Sequence, residues 1–308
     1  MLIHFVRNGP AYLPELSAYA EFLSAQGHAT RIHDASNSVP NDAQAVWWIC
    51  GRVPRQEARR LRHAFQVHEY ASASVPPHAW LKDQVKRVTQ PRPDHRVFQN
   101  AWVHDRMGFA DSVPFSLRDM GVAQAFLDMG QQHNLPAPEF DLVYLGEMTR
   151  LMHFLPVLHA IHAAGRHLLL IGDVPSDLRR QLPASVSCTG RVPYTDVPHQ
   201  LRRARVGLNL VQNIAPYHQQ TSTKLLEYCA VGLPVVSNDY PWARSFEQQQ
   251  NARFLWLSDQ PDRWADSLGS ALDRHDFRVP DLHTHAWPRV LAGLPVWSAL
   301  FNVNGGAA

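Results

Sequence analysis

Lys224 and Glu227 stand three residues apart in the run Thr223-Lys224-Leu225-Leu226-Glu227, a spacing that puts an ammonium and a carboxylate on one helix face near its start. Thr221, Ser222 and Thr223 lead into that run, and any of them can cap the free backbone N–H groups of a helix N-terminus. Gly232 sits where a left-handed residue ends a helix, Pro234 follows it, and Val235-Val236-Ser237 reads as a strand. Free amides, a lysine and a carboxylate one turn in suit an anionic ligand that also carries hydroxyls. A nucleotide sugar has both chemistries: its diphosphate suits the amides and Lys224, and its ribose hydroxyls suit Glu227. A capping box is an unsuitable account of Glu227, because it needs Ser or Thr three positions earlier, where Lys224 stands. The competing account is a surface ion pair between the two, worth only about 0.2–0.5 kcal/mol in an isolated helix.

Other residues fit the same chemistry less specifically. Arg150 follows the apolar run Leu142–Leu145 and Gly146, and is either a second positive charge for a diphosphate or a solvated arginine. Gly9, in Arg7-Asn8-Gly9-Pro10, permits close approach of backbone to ligand after the first strand, though one glycine there is also ordinary turn chemistry. His68 and Glu69 end the strand Phe65–Tyr70, where a side chain points toward a cleft mouth; a lone histidine, one of eighteen here, is more often a structural residue. Gly190-Arg191-Val192-Pro193-Tyr194 follows a strand and offers either backbone contacts to a ligand or plain turn packing. His283 and His285 flank Thr284, but no Cys, Asp or Glu joins them at ligand spacing, so they make a poor metal site. Asp-x-Asp, a P-loop, Gly-x-Ser-x-Gly and Cys-x-x-Cys are all missing from the chain. Arg55, Arg59 and Arg62 share one helix face, and Lys82 and Lys86 repeat the spacing one helix later. They form a solvated basic face or contact an anionic lipid surface or lipid pyrophosphate.

The elements that must position these residues alternate between strand and helix. Expected strands are Leu2–Val6, Thr30–His33, Ala45–Cys50, Phe65–Tyr70 and Val97–Asn100, then Leu142–Leu145, His167–Ile171, Val186–Cys188, Val206–Val211, Pro234–Ser237 and Arg253–Trp256. Expected helices include Pro14–Gln26, a stretch from Pro54 to about His63, Thr149–Ala164, Val197–Ala204 and Thr223–Val231. Such alternation implies parallel sheets covered by helices. The polar, proline-bearing stretch Gln131–Phe140 reads as a hinge between two halves.

Glu227-Tyr228-Cys229-Ala230-Val231-Gly232-Leu233-Pro234-Val235-Val236, with the polar loop before it, resembles the donor-binding segment of the retaining group 1 (family 4) glycosyltransferases. The strand-glycine start Val143-Tyr144-Leu145-Gly146 and the strand Leu168–Gly172 extend the resemblance from roughly Leu142 to Leu257. It implies an α/β chain of the GT-B fold, two doubly wound Rossmann-like domains facing a central cleft. The expected division is an acceptor domain over 1–138, a nucleotide-sugar domain over 139–267, and a segment over 268–308 that crosses back to the first, with Trp287 and Trp297 as its anchors. The resemblance implies that Glu227 holds the ribose and that Arg150 and Lys224 neutralise the diphosphate. It implies a catalytic place for His68, and donor contacts for Gly9, Gly146, Arg191, Val192, Gln219, Thr221, Ser222 and Thr223. Where the family often carries a second glutamate, this chain has Gln219, whose amide can bond a sugar hydroxyl without a charge. Neither a cofactor nor a metal beyond the donor itself is implied.

A net charge of +2 over 308 residues argues against generic nucleic-acid binding. No apolar stretch is long enough to span a bilayer, and the start MLIHFVRNGP reads as a first strand rather than a signal peptide. Cys50, Cys188 and Cys229 are widely spaced in apolar surroundings, as small core residues of a reducing compartment. The expected protein is cytoplasmic, with possible peripheral contact at the inner membrane face. It transfers sugar from a nucleotide diphosphate sugar to a glycan, a lipid-linked sugar or a small molecule. Two other readings are open: a degenerate GT-B protein that binds nucleotide or a partner without transfer, and a sugar-nucleotide epimerase or hydrolase.

Overall fold

The structure is a computed structural model and describes every residue except 8, 10–12, 50, 134–135 and 303–308. The chain forms two compact units, Met1–Gly121 with Trp287–Ala308, and Val122–Ala286.

In the first unit six parallel strands make one sheet: β1 Leu2–Arg7, β2 Ala29–His33, β3 Ala45–Ile49, β4 Phe65–Tyr70, β5 His95–Phe98 and β6 Phe115–Leu117. Their spatial order is β2-β1-β3-β4-β5-β6, so the chain reverses direction between β1 and β3. Its helices are α1 Pro14–Ser24, α2 Arg55–Arg60, α3 Ala79–Thr89 and α4 Ala101–Met107, joined by the C-terminal helices Trp287–Ala292 and Val296–Asn302. β3, Ala-Val-Trp-Trp-Ile, is buried throughout, as befits a central parallel strand covered on both faces. Trp47 and Trp297 pack together with Tyr19 beneath α1. Under the sheet lies a buried charge cluster, in which Glu69 pairs with Arg118 and accepts from Tyr19 Oη at 3.0 Å and Trp47 Nε1 at 2.6 Å.

The second unit repeats the plan with β7 Phe140–Leu145, β8 Leu168–Ile171, β9 Val186–Cys188, β10 Ala204–Asn209, β11 Val235–Ser237 and β12 Leu255–Trp256, in the order β12-β11-β10-β7-β8-β9, again all parallel. Between them run α5 Gln124–Gly130, α6 Leu155–Ala163, α7 Ser176–Arg179, α8 Val197–Leu201, α9 Thr223–Ala230 and α10 Pro241–Gln249. The core is aliphatic, with Leu142, Leu158, Ile161, Leu168, Leu170 and Leu208 all fully buried. Tyr228 on α9 stitches helix to sheet. Its hydroxyl accepts from Leu145 N at 2.8 Å and reaches Leu208 O at 3.3 Å, while its ring covers Gly207, where a Cβ would lie 2.4 Å from the ring. Only glycine on β10 lets the helix sit that close.

Three expectations shift. Strand β6 escapes the sequence reading: it is three residues long, follows Pro114, and has Ser116 at its centre. The division between units falls at Gly121, ahead of the expected 138, because α5 packs on the second unit. Phe126 meets the Tyr194 ring at 5.2 Å, and Gly130 lies so close to α9 that a Cβ would sit 2.2 Å from Ala230 O. At the other end it falls after Ala286 rather than at 267. Among the described residues no helix is long and apolar enough to cross a membrane. Cys229 is buried and Cys188 half-buried, and Cys50 lies outside the described residues.

Candidate functional site

The second sheet reverses direction between β7 and β10, and the loops leaving their carboxyl ends converge on the start of α9. A crevice at such a switch point is the ordinary ligand position of a doubly wound sheet. A cavity of ≈ 100 Å³ lies here, walled by Arg150 and Phe154 after β7, Leu210–Gln212 after β10, Tyr217 and Gln220 on the loop, and Thr221–Lys224 at the helix. Ser222 is the N-cap of α9: its Oγ accepts from Leu225 N at 3.4 Å and donates to the buried Asn209 Oδ1 at 2.8 Å. Asn209 is itself fixed by donating to Ser237 Oγ at 2.8 Å and Tyr240 Oη at 3.0 Å. The cap is thus tied to two strands. The first amides of α9, those of Thr223 and Lys224, have no acceptor within the helix by its geometry.

Lys224 extends over the Tyr144 ring, its Nζ 4.3 Å from the centroid, and donates to Tyr144 Oη at 3.0 Å and Leu210 O at 3.2 Å. An ammonium has three N–H donors, so one remains for a ligand. Burial, and then repulsion from Arg150, lower its pKa to about 7. Gly146 makes room for it. With φ +138° it adopts a conformation that favours glycine, and a Cβ there would stand 3.3 Å from Lys224 Cε. Arg150 is exposed, with its guanidinium 4.9 Å from the Tyr217 ring centroid. Glu227, one turn into α9, is 8% exposed and accepts from Tyr194 Oη at 2.8 Å. Burial raises its pKa to about 7 against the opposing pull of Tyr194 and Lys224. A carboxylate and an ammonium both held near neutrality, beside free helix amides, form a polar site able to respond to a charged, hydroxyl-bearing ligand.

Of the other expected residues, Arg191 sits with its amide donating to Asp173 Oδ1 at 3.1 Å, and Val192 follows in the loop that leads to Tyr194. Gln219 ends a short turn, Tyr217–Gln219, and it is Gln220 that lines the cavity. Gly9 has φ +71° after β1, at the reversal point of the first sheet, while Asn8 and Pro10 lie outside the described residues. His68 lies within β4, paired with Trp48 on β3 and Arg96 on β5, and is 1% exposed. Burial and the nearby Arg96 lower its pKa to about 3, and neither ring nitrogen makes a hydrogen bond. The sequence reading missed Tyr144, Tyr194, Tyr217, Asn209 and Gln220; only Tyr144 and Tyr194 carried a signal, standing in motifs already singled out.

Residues 139–274 match the family model of group 1 glycosyl transferases. The second unit is a group 1 glycosyltransferase domain. The whole chain shares its fold with solved glycosyltransferases of the GT-B type, although identities are low. HepE of Anabaena, solved in complex with UDP and glucose, superposes with TM-score 0.65 at 11% identity, over 98% of each chain. Sucrose-phosphate synthase from Thermosynechococcus elongatus gives 0.64 at 14% over the full length of both. AviGT4, a glycosyltransferase involved in avilamycin A biosynthesis, gives 0.63 at 14%, covering 99% of this chain and 98% of its own. Comparison of the sequence with curated proteins gives no significant match. The glycosyltransferase domain therefore carries the cavity and α9 with Lys224 and Glu227, all within the matched stretch.

Proposed function

We propose that this glycosyltransferase moves a sugar from a nucleotide diphosphate sugar to an acceptor with retention of configuration and without a metal. The observation that carries the reading is the meeting of Lys224, Arg150 and the first amides of α9 at one cavity, with Glu227 a turn away. Lys224, Arg150 and the Thr221–Thr223 backbone take up charge as it builds on the leaving diphosphate, a preorganised electrostatic role. Glu227 accepts from the ribose hydroxyls, Gln219 bonds a hydroxyl of the transferred sugar, and the loop at Arg191 and Val192 meets the base. Gly146 serves by letting Lys224 lie against the β7 loop. The likeness to HepE, whose crystals hold UDP and glucose, makes a uridine diphosphate sugar the first donor to try. The acceptor is a glycan, a lipid-linked sugar or a small molecule, and the enzyme works from the cytoplasm with peripheral contact at the inner membrane face.

The test is release of UDP from UDP-glucose, with and without a panel of sugar acceptors, in buffer containing EDTA. Release that acceptor stimulates, with an α-linked product by NMR, supports the proposal. Release without acceptor indicates a hydrolase, and binding without release indicates a degenerate protein; either overturns it. Activity lost in EDTA and restored by magnesium would refute the metal-independent part.

A further inference from the structure

Helix α3 of the first unit is folded inside out. Leu81, Val85 and Val88 recur at the i, i+4, i+7 spacing that normally faces a core, yet they are 54%, 45% and 76% exposed, and Trp80 beside them is 60% exposed. The inward face is polar. Asp83 is 1% exposed, accepting from Ser74 N at 3.0 Å and pairing with Arg106 at 3.3 Å. Arg87 donates to Met107 O at 2.9 Å at the end of α4, and half-buried Lys86 lies near Gly51. Of the lysine pair that the sequence spacing places on this helix, Lys82 is exposed beside the apolar stripe and Lys86 is half-buried.

A cationic rim adjoins it. Arg55 of α2 donates to Thr89 O at 2.9 Å and so joins the end of α3 to the start of α2. From there Arg55, Arg59, Arg62 and Arg92 line a depression of ≈ 380 Å³ together with the exposed Asp94, which accepts from Gln66 N. The acidic groups of the two helices are already engaged, Glu57 by Arg60 and Asp83 by its own partners.

Deepening the peripheral contact proposed above, we infer that α3 and the arginine cluster beside it form a docking surface for an anionic lipid bilayer. A short helix with an apolar outer face, a tryptophan and a basic flank matches a segment that lies in the plane of the lipid interface. Charge complementarity decides the occupant. A second copy seated on this face would bring two sets of arginines together, whereas anionic headgroups neutralise one set while the acyl boundary takes the apolar stripe. Binding then needs both components and weakens with salt.

The experiment is co-sedimentation of the nucleotide-free full chain with phosphatidylglycerol-containing vesicles and with pure phosphatidylcholine vesicles, at low and moderate salt. Wild type should sediment with the first and hardly with the second. The triple variant Leu81→Gln/Val85→Gln/Val88→Gln, in exposed positions and with a good helix former, should stay folded and bind at least tenfold more weakly. Arg59→Glu/Arg62→Glu should lose binding likewise, and quenching by brominated lipid should fall in Trp80→Phe. UDP affinity, measured on the same proteins, should be unchanged, which separates failure of docking from failure of the sugar-transfer reading. Wild type that ignores anionic vesicles, a glutamine variant that binds them equally, or a dimer in sedimentation velocity that the glutamine variant abolishes would each overturn the inference.

Discussion

Replacing Glu227 by alanine tests the donor site most directly. The side chain is 8% exposed, carries a raised proton affinity, and is oriented by the Tyr194 hydroxyl at 2.8 Å. If it accepts from ribose hydroxyls, each bond is assisted by its charge, and such bonds contribute about 1.5–3 kcal/mol. Every 1.4 kcal/mol is tenfold in affinity, so the variant should bind nucleoside diphosphate roughly ten- to a hundredfold more weakly. Loss of the Tyr194 bond also affects the free protein, so Glu227→Gln is a necessary companion. It keeps an acceptor for Tyr194 and removes only the charge, and its loss should be smaller, about tenfold or less, in line with the weaker neutral bond. The assay is calorimetric titration of UDP, with GDP and ADP alongside, on proteins whose thermal unfolding shows them folded. A folded Glu227→Ala that binds within twofold of wild type would refute the ribose assignment.

Two further outcomes follow from the same geometry. Affinity for UDP-glucose, whose diphosphate diester keeps its charge across the range, should peak near neutrality. Above about pH 7 Lys224 loses its proton and its attraction, and below about pH 7 Glu227 gains one and ceases to be an anionic acceptor. Titrations at a series of pH values should show both limbs, with the acid limb gone in Glu227→Gln; a flat profile from pH 6 to 8 contradicts the assignment of both groups. For the fold, Gly130→Ala would place a Cβ 2.2 Å from Ala230 O, a backbone atom that cannot turn aside. Overpacking there should cost about 1–3 kcal/mol and lower Tm by several degrees. A thermal melt equal to wild type would show that α5 is not held so closely against α9.

What the sequence alone settles is local and periodic. The cap at Ser222, the eight-residue helix and the left-handed Gly232, with φ +78°, all lie where residue types place them, because capping and positive φ depend on a few neighbours. The alternation of strands and helices, and the pairing of Lys224 with Glu227 on one helix face, are legible for the same reason. Contacts made across the chain are not. Asn209 gains its place from Ser222, Ser237 and Tyr240, and Tyr228 from strands on both sides of it, none adjacent in sequence. The burial of His68, 1% exposed at the middle of β4, is set by its place in the sheet between Trp48 and Arg96, which lie far from it in sequence. The outward face of α3 depended on what α4 and the Ser74 loop offered to Asp83 and Arg87. Periodicity names the faces of a helix, but only the groups packed against it decide which of them meets water.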